Sequence, residues 1–212
     1  MRNVGAVVLA AGGSSRLGRP KQLLTFGGET LVRRAVRAAA EAGCDPVIVV
    51  VGETSETSDT IRSELAIRDS RIASFPAPGN EVRAMIVENG EWRKGVGTSI
   101  RRGLRELPGF VDAVVLLACD QPFIDASVVG RLIAAREEGG RPMVASSYAS
   151  TLGVPALFDR SCFEELLALP DDSGAKRLIT NRPDDVFPVA FERGAIDVDT
   201  PEDFARLTRK SD

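Results

Sequence analysis

Three short apolar runs decide what this chain can fold into. Residues 4–9 read VGAVVL, residues 46–51 PVIVVV and residues 113–118 AVVLLA. Each is continuous rather than alternating in polarity, rich in valine and too short for a buried helix. Each therefore reads as a strand covered on both faces. Helical spacing fills the gaps: it predicts helices over 30–42, with Thr30 as N-cap, and over 55–67, 98–107 and 127–138. Further strands are expected over 82–87 and 143–147. Strands that alternate with helices in this way predict an α/β fold, a doubly wound, mostly parallel sheet with helices on both faces. Residues 68–81, which hold Pro76, Pro78 and Gly79, read as a surface loop. Beyond Ser150 the rhythm loosens into short helices over 162–168 and 174–180. A last helix is expected over 200–209, opening Thr-Pro-Glu-Asp, a favourable helix start.

With 212 residues, no internal repeat and no linker-like tract, the pattern suits one domain over 1–212. The formal net charge of −3 argues against non-specific binding to nucleic acid or membranes. No apolar run approaches the ~20 residues needed to span a bilayer, and no signal-peptide pattern is present, so a cytoplasmic protein is expected. Cys44, Cys119 and Cys162 are far apart and odd in number, which suits buried thiols better than a disulfide framework. The chain has no histidine at all. That removes imidazole bases, serine triads and imidazole metal ligands, and leaves chemistry that needs only positioning and charge neutralisation.

The first strand runs into LAAGGSSRLGRPKQLL, residues 9–24. Ligands of open α/β sheets sit at the carboxyl ends of strands, which is where this loop emerges. It is not a Rossmann fingerprint, since Ser14 stands where the second glycine belongs. Nor is it a Walker A loop, since Arg19-Pro20 replaces Lys-Ser/Thr. What remains is a small-residue turn with Arg16 and Lys21 in reach of an anion. It is either a phosphate cradle or a glycine-rich turn with solvated cations. Asp120 follows the run 113–118 and reads either as a turn cap or as an oxygen ligand for Mg²⁺. Asp199 reads as a second ligand or as the N-cap of the last helix. Trp92, the only tryptophan, stacks on a base or packs its own loop.

The pattern L-A-A-G-x-S-x-R-L-G-x-x-K resembles the signature loop of the nucleotidyltransferases with a glycosyltransferase-A-like fold. The K-Q-L-L that ends it is similar to the molybdenum cofactor cytidylyltransferase and guanylyltransferase group. Further segments resemble that group in order: Asn89 with Gly95, Ser99 and Ile100; C-D-Q-P at Cys119–Pro122; G-V-P-A-L-F from Gly153; D-S-G-A-K from Asp172; and D-V-D-T-P-E-D from Asp197. The resemblance implies a Rossmann-like nucleotidyltransferase fold. It also implies transfer of a nucleoside monophosphate from NTP to the terminal phosphate of molybdopterin or the molybdenum cofactor, with release of pyrophosphate. Leu9, Ala10, Ala11, Gly12, Gly13, Ser14, Arg16, Lys21, Asn89, Gly95 and Ser99 are then nucleotide-binding. Gln121, Gly153 and Pro155 are acceptor-binding, Asp120 and Asp199 hold Mg²⁺, and Arg16, Lys21 and Asp120 are catalytic. The nucleotide half spans about 1–123 and the acceptor half about 124–212. A phosphate nucleophile is already anionic, so such transfer needs no histidine base.

Guanylyl-type members carry L-A-G-G where this chain has Leu9-Ala-Ala-Gly12, and the methyl of Ala11 favours CTP over a purine nucleotide. GTP-dependent transfer stays an alternative, as do other cytidylyl- or sugar-phosphate nucleotidyltransferases. So does a non-catalytic carrier that hands the molybdenum cofactor to a molybdenum hydroxylase client.

Overall fold

The computed structural model describes residues 3–14, 17–52, 55–65, 72–77 and 80–209. The chain opens with β1 (Val4–Ala10), then a small hairpin, β2 (Thr25–Phe26) and β3 (Glu29–Thr30), which leads into α1 (Leu31–Glu41). β4 (Val47–Gly52), α2 (Ser55–Glu64), β5 (Ile72–Ala77) and β6 (Asn80–Asn89) follow. Next come α3 (Val96–Leu104), β7 (Ala113–Ala118), α4 (Ala126–Gly139), β8 (Met143–Tyr148) and β9 (Thr151–Asp159). The chain ends through α5 (Phe163–Leu167), α6 (Lys176–Asn181), β10 (Val186–Ala190) and α7 (Pro201–Arg209). No helix among the described residues is long and apolar enough to cross a membrane.

Eight strands form one sheet in the order β10-β8-β9-β7-β1-β4-β6-β5. β7, β1, β4 and β6 run parallel, as do β8 and β10. β9 is antiparallel to both neighbours and β5 to β6. The continuous apolar runs are explained by the layers on either side. In β1, Val4, Ala6, Val8 and Ala10 face a core shared with α1, α2 and α4, while Val7 faces the opposite core with α3, α5 and α6. Period-two alternation carries both sets, and both are buried, so no polar stripe survives. This is the doubly wound, mostly parallel architecture that the sequence predicts.

Thr30 caps α1 by accepting from the Arg33 amide at 3.4 Å. The expected loop over 68–81 is corrected in part: residues 72–77 form the outermost strand β5 and 80–81 begin β6, while 68–71 and 78–79 lie outside the described residues. An outer strand tolerates Pro76 because one row of its amides needs no partner. Two strands in the second half carry no strand-like sequence signal. β9 contains Pro155, which sits where the β8–β9 register shifts between Ala145 and Ser146. Such an irregularity accommodates a residue without an amide hydrogen. β10 is the other outer strand. Pro188 occupies its centre, opposite Ala145. The carbonyls of Val186 and Ala190 on either side accept from Arg141 (2.5 Å) and Arg131 (2.8 Å).

The chain runs outward from β1 to β4 and β6, then crosses back to β7 on the other side of β1. This reversal is a topological switch point, and a crevice opens there beyond the strand ends. Leu9 pairs with Ala118, so the glycine-rich loop and the Cys119–Asp120 segment leave the sheet side by side.

Candidate active site

A cleft of about 810 Å³ lies at this switch point. Ala11, Gly12, Gly13 and Ser14 form one lip, with Leu9 beneath them; Lys21 and Asp120 lie at the base. Trp92, Val96, Ser99 and Ile100 form a second wall. Tyr148, Gly153 and Val154 form a third, and the loop into α6 adds Gly174, Ala175 and Lys176. Arg16 lies outside the described residues.

Lys21 is drawn in by acids from two distant segments. Its ammonium donates to the Asp120 carboxylate and, at 3.1 Å, to that of Asp199. Its side chain is only 16% exposed, against 21% for Asp120 and 39% for Asp199. Burial opposes its charge, but attraction and hydrogen bonding to Asp120, helped by Asp199, outweigh it, so the ammonium's pKa is raised. Of the two alternatives for Lys21, these contacts exclude the solvated loop cation. Asp199 is held in place by its backbone surroundings: the Val198 amide donates to the Asp120 carbonyl at 3.0 Å. Thr200, not Asp199, caps α7, since its hydroxyl accepts from the Asp203 amide at 3.2 Å while Asp203 accepts from the Thr200 amide at 3.0 Å. The Asp199 carboxylate is thereby left to meet Lys21. Asp197 is exposed, yet its pKa is raised to about 6, first by the protein packed around the carboxyl and then by Asp120 and Asp199.

Two carboxylates gathered about one cation form a hard oxygen donor pair of the kind that suits Mg²⁺ or Mn²⁺. The donor set at Asp120 and Asp199 therefore fits a divalent ion. Burial, with the charge of Asp120 beside it, pushes the Cys119 thiol up to about 12, away from the thiolate form.

Several sequence-chosen residues build the walls from behind. Asn89 is buried and does not line the cleft; its amide donates to Thr98 (2.9 Å) and Ser99 (3.0 Å), and its carbonyl accepts from the Glu91 amide (3.0 Å). Its place is to fix Ser99, which does line the cleft. Gly95 has φ of 136°, and a Cβ there would strike the Asp171 carbonyl. Gly97 is packed as closely: a methyl there would stand 2.9 Å from the Ser173 carbonyl, and its amide donates to Asp171 at 2.9 Å. These two glycines dock the start of α3 on the loop that carries Gly174 and leads into Lys176, the first residue of α6. Gln121 is buried and donates to the carbonyls of Val154 (3.1 Å) and Gly194 (2.9 Å), so it braces the third wall. Pro155 lies behind that wall, its carbonyl accepting from Ser146 at 2.6 Å. Gly153 makes room for Tyr148, whose hydroxyl donates to Val154 at 3.1 Å. Ala10 is buried under the loop.

Trp92 packs against the glycine loop and the end of β4 and also lines the cleft. A methyl on Gly13 would lie 2.9 Å from its ring and one on Gly52 3.2 Å away, while the ring also lines the cleft and carries Arg93 at 4.7 Å. Sequence reasoning did not assign Tyr148, Val96 or Lys176. Lys176 carried a signal, as the last residue of D-S-G-A-K; Val96 and Tyr148 carried none.

The family model described as MobA-like NTP transferase domain matches residues 6–186. Purine catabolism protein PucB of Bacillus subtilis (strain 168) is 29% identical over 207 residues, 96% of this chain and 95% of its own. Nicotine blue oxidoreductase of Paenarthrobacter nicotinovorans is also 29% identical, over 96% of both chains. A probable molybdenum cofactor guanylyltransferase of Opitutus terrae is 30% identical over 62% of this chain and 55% of its own. Among solved structures, Rv0371c from Mycobacterium tuberculosis H37Rv matches with a TM-score of 0.76 and 29% identity over 99% of both chains. Its complex with manganese matches with a TM-score of 0.73 and 27% identity over 98% of both.

Proposed function

The chain belongs to the MobA-like NTP transferase domain family, and on that premise we propose that it moves CMP from CTP onto the terminal phosphate of molybdopterin or the molybdenum cofactor, releasing pyrophosphate. One observation carries the reading: Lys21, Asp120 and Asp199 meet beside the glycine loop, at the base of the cleft. An ammonium and a metal-competent acid pair next to exposed backbone amides are what a triphosphate requires.

Each group has its own part in the transfer. The loop amides and Lys21 bind the triphosphate and neutralise the charge that builds on it in the transition state; Arg16 joins them by resemblance. Ala11 and Ser99 bound the base. Asp120 and Asp199 hold Mg²⁺, which supplies charge neutralisation and alignment of the phosphates when bound. The acceptor enters from the half formed by about residues 124–212, past Gly153, Tyr148 and Lys176, with Gln121 and Pro155 supporting that wall. The name of the Opitutus relative supports a molybdenum cofactor acceptor, as does the C-D-Q-P segment. A molybdenum hydroxylase is the client to which the product passes.

The test incubates the protein with purified molybdenum cofactor, Mg²⁺ or Mn²⁺ and each NTP in turn, following pyrophosphate and product mass. CTP is expected to exceed GTP, and Asp120→Asn to lower turnover by at least ~100-fold, the scale of losing one preorganised electrostatic contact. The name of the Paenarthrobacter relative sets the control arm: NADH or NADPH oxidation with no pyrophosphate from any NTP would overturn nucleotidyl transfer.

A further inference from the structure

Gln22 follows Lys21 on the short turn Lys21–Leu23 and is 2% exposed. Its side-chain nitrogen donates to two carbonyls of the glycine loop, Ala10 at 2.7 Å and Gly12 at 2.8 Å. Both amide hydrogens are thus spent on alternate residues of one strand-to-loop passage. In a trans peptide the C=O of one residue and the N–H of the next point in opposite directions. Drawing the Gly12 carbonyl toward Gln22 therefore turns the Gly13 N–H away from it. Gly13 lines the cleft, and among the described residues its amide donates to no other backbone group. The same turn is tied from the other side: the Lys21 amide donates to the Ser14 hydroxyl at 2.9 Å, with Ser14 at φ of 47°. The glycine loop and the Lys21–Leu23 turn are thus tied together by three side-chain hydrogen bonds. The Gln22 side-chain oxygen has no partner among the described residues, so the residue contributes through its two N–H groups alone.

We propose that Gln22 is the positioning residue of the glycine loop, orienting its peptide planes so that the Gly13 amide faces the polyphosphate of the bound nucleotide. This rests on the reading of the cleft as a nucleotide site. Gln22 touches no substrate; it acts through the loop. A glutamine is required because a carboxylate of the same shape would present oxygen to two carbonyl oxygens, and a methionine of similar volume would offer no donor.

The test measures binding of magnesium tripolyphosphate, CTP and GTP by calorimetry to the full chain and to Gln22→Met and Gln22→Glu, well below each protein's melting temperature. Wild type is expected to bind all three. Both variants should lose affinity for all three by a common factor of ~10- to 100-fold, the scale of a lost hydrogen bond to a charged group, with the CTP/GTP ratio unchanged. Wild-type affinities in a folded Gln22→Met protein, even one with a lower melting temperature, would overturn the proposal and leave the nucleotide site standing. Selective loss of one nucleotide would also overturn it, by making Gln22 a reader of the base. If wild type bound neither tripolyphosphate nor any nucleotide, the nucleotide reading itself would fall.

Discussion

Lys21→Ala separates two duties of one ammonium. In the structure the group holds the Asp120 and Asp199 carboxylates together; in the proposed reaction it neutralises the triphosphate. Removing one member of a buried ion pair costs ~3–5 kcal/mol because the partner stays charged and unpaired. Here Asp199 is 39% exposed, so solvent screens part of the effect and ~2 kcal/mol is the reasonable figure. For a chain of this size that corresponds to a fall of ~4–8 °C in melting temperature. Manganese should reverse it: at 100 times its dissociation constant a ligand adds ~2.7 kcal/mol, and in the variant no ammonium competes for the acids. The assay is thermal melting of both proteins across a manganese titration, followed by turnover at saturating metal. The expected result is a lower melt for the variant without metal, a larger manganese shift than in wild type, and turnover still down at least ~100-fold. A variant that melts like wild type at every manganese concentration would refute the ion-pair argument. Wild-type turnover would refute the phosphate role independently.

Two further outcomes are expected. Ala11 lines the cleft, and one methyl in a pocket is worth ~1–3 kcal/mol of discrimination; kcat/KM for CTP and GTP should show a wild-type preference for CTP that Ala11→Gly narrows without reversing. Gly97→Ala would drive a methyl into the carbonyls of Pro170 and Ser173; overpacking against backbone of this kind costs ~1–3 kcal/mol, read as a lower urea midpoint together with a raised KM for nucleotide, since the loop leading into Lys176 is displaced.

What the sequence made legible follows the physics of each segment. β1, β4 and β7 were readable because burial on both faces leaves an unbroken apolar run. β9 and β10 were not, because Gly153, Pro155 and Pro188 break the strand signal; a register shift and an outer position accommodate them. The cations and acids of the site stood out as residue types in the right places. Their pairing did not, since Lys21 meets partners 99 and 178 positions away. Asn89 shows the converse difficulty. A polar residue at the end of a strand looks the same in sequence whether it faces a ligand or, as here, the first turn of the following helix. Gln22 registered only as a letter of K-Q-L-L, because two bonds to backbone carbonyls leave no trace in residue types.

The outer strand β10 has a consequence for assembly and solubility. A free sheet edge is a template on which another extended chain can dock through alternating donors and acceptors. Here the central residue of a five-residue edge has no hydrogen to give, and the carbonyls two places to either side are already taken by Arg141 and Arg131. An incoming strand would find no continuous ladder, with two of the edge carbonyls already engaged by arginine. β-Augmentation and edge-to-edge fibre growth are therefore disfavoured along β10, and a protein that recognises this side of the molecule must read its side chains rather than its main chain.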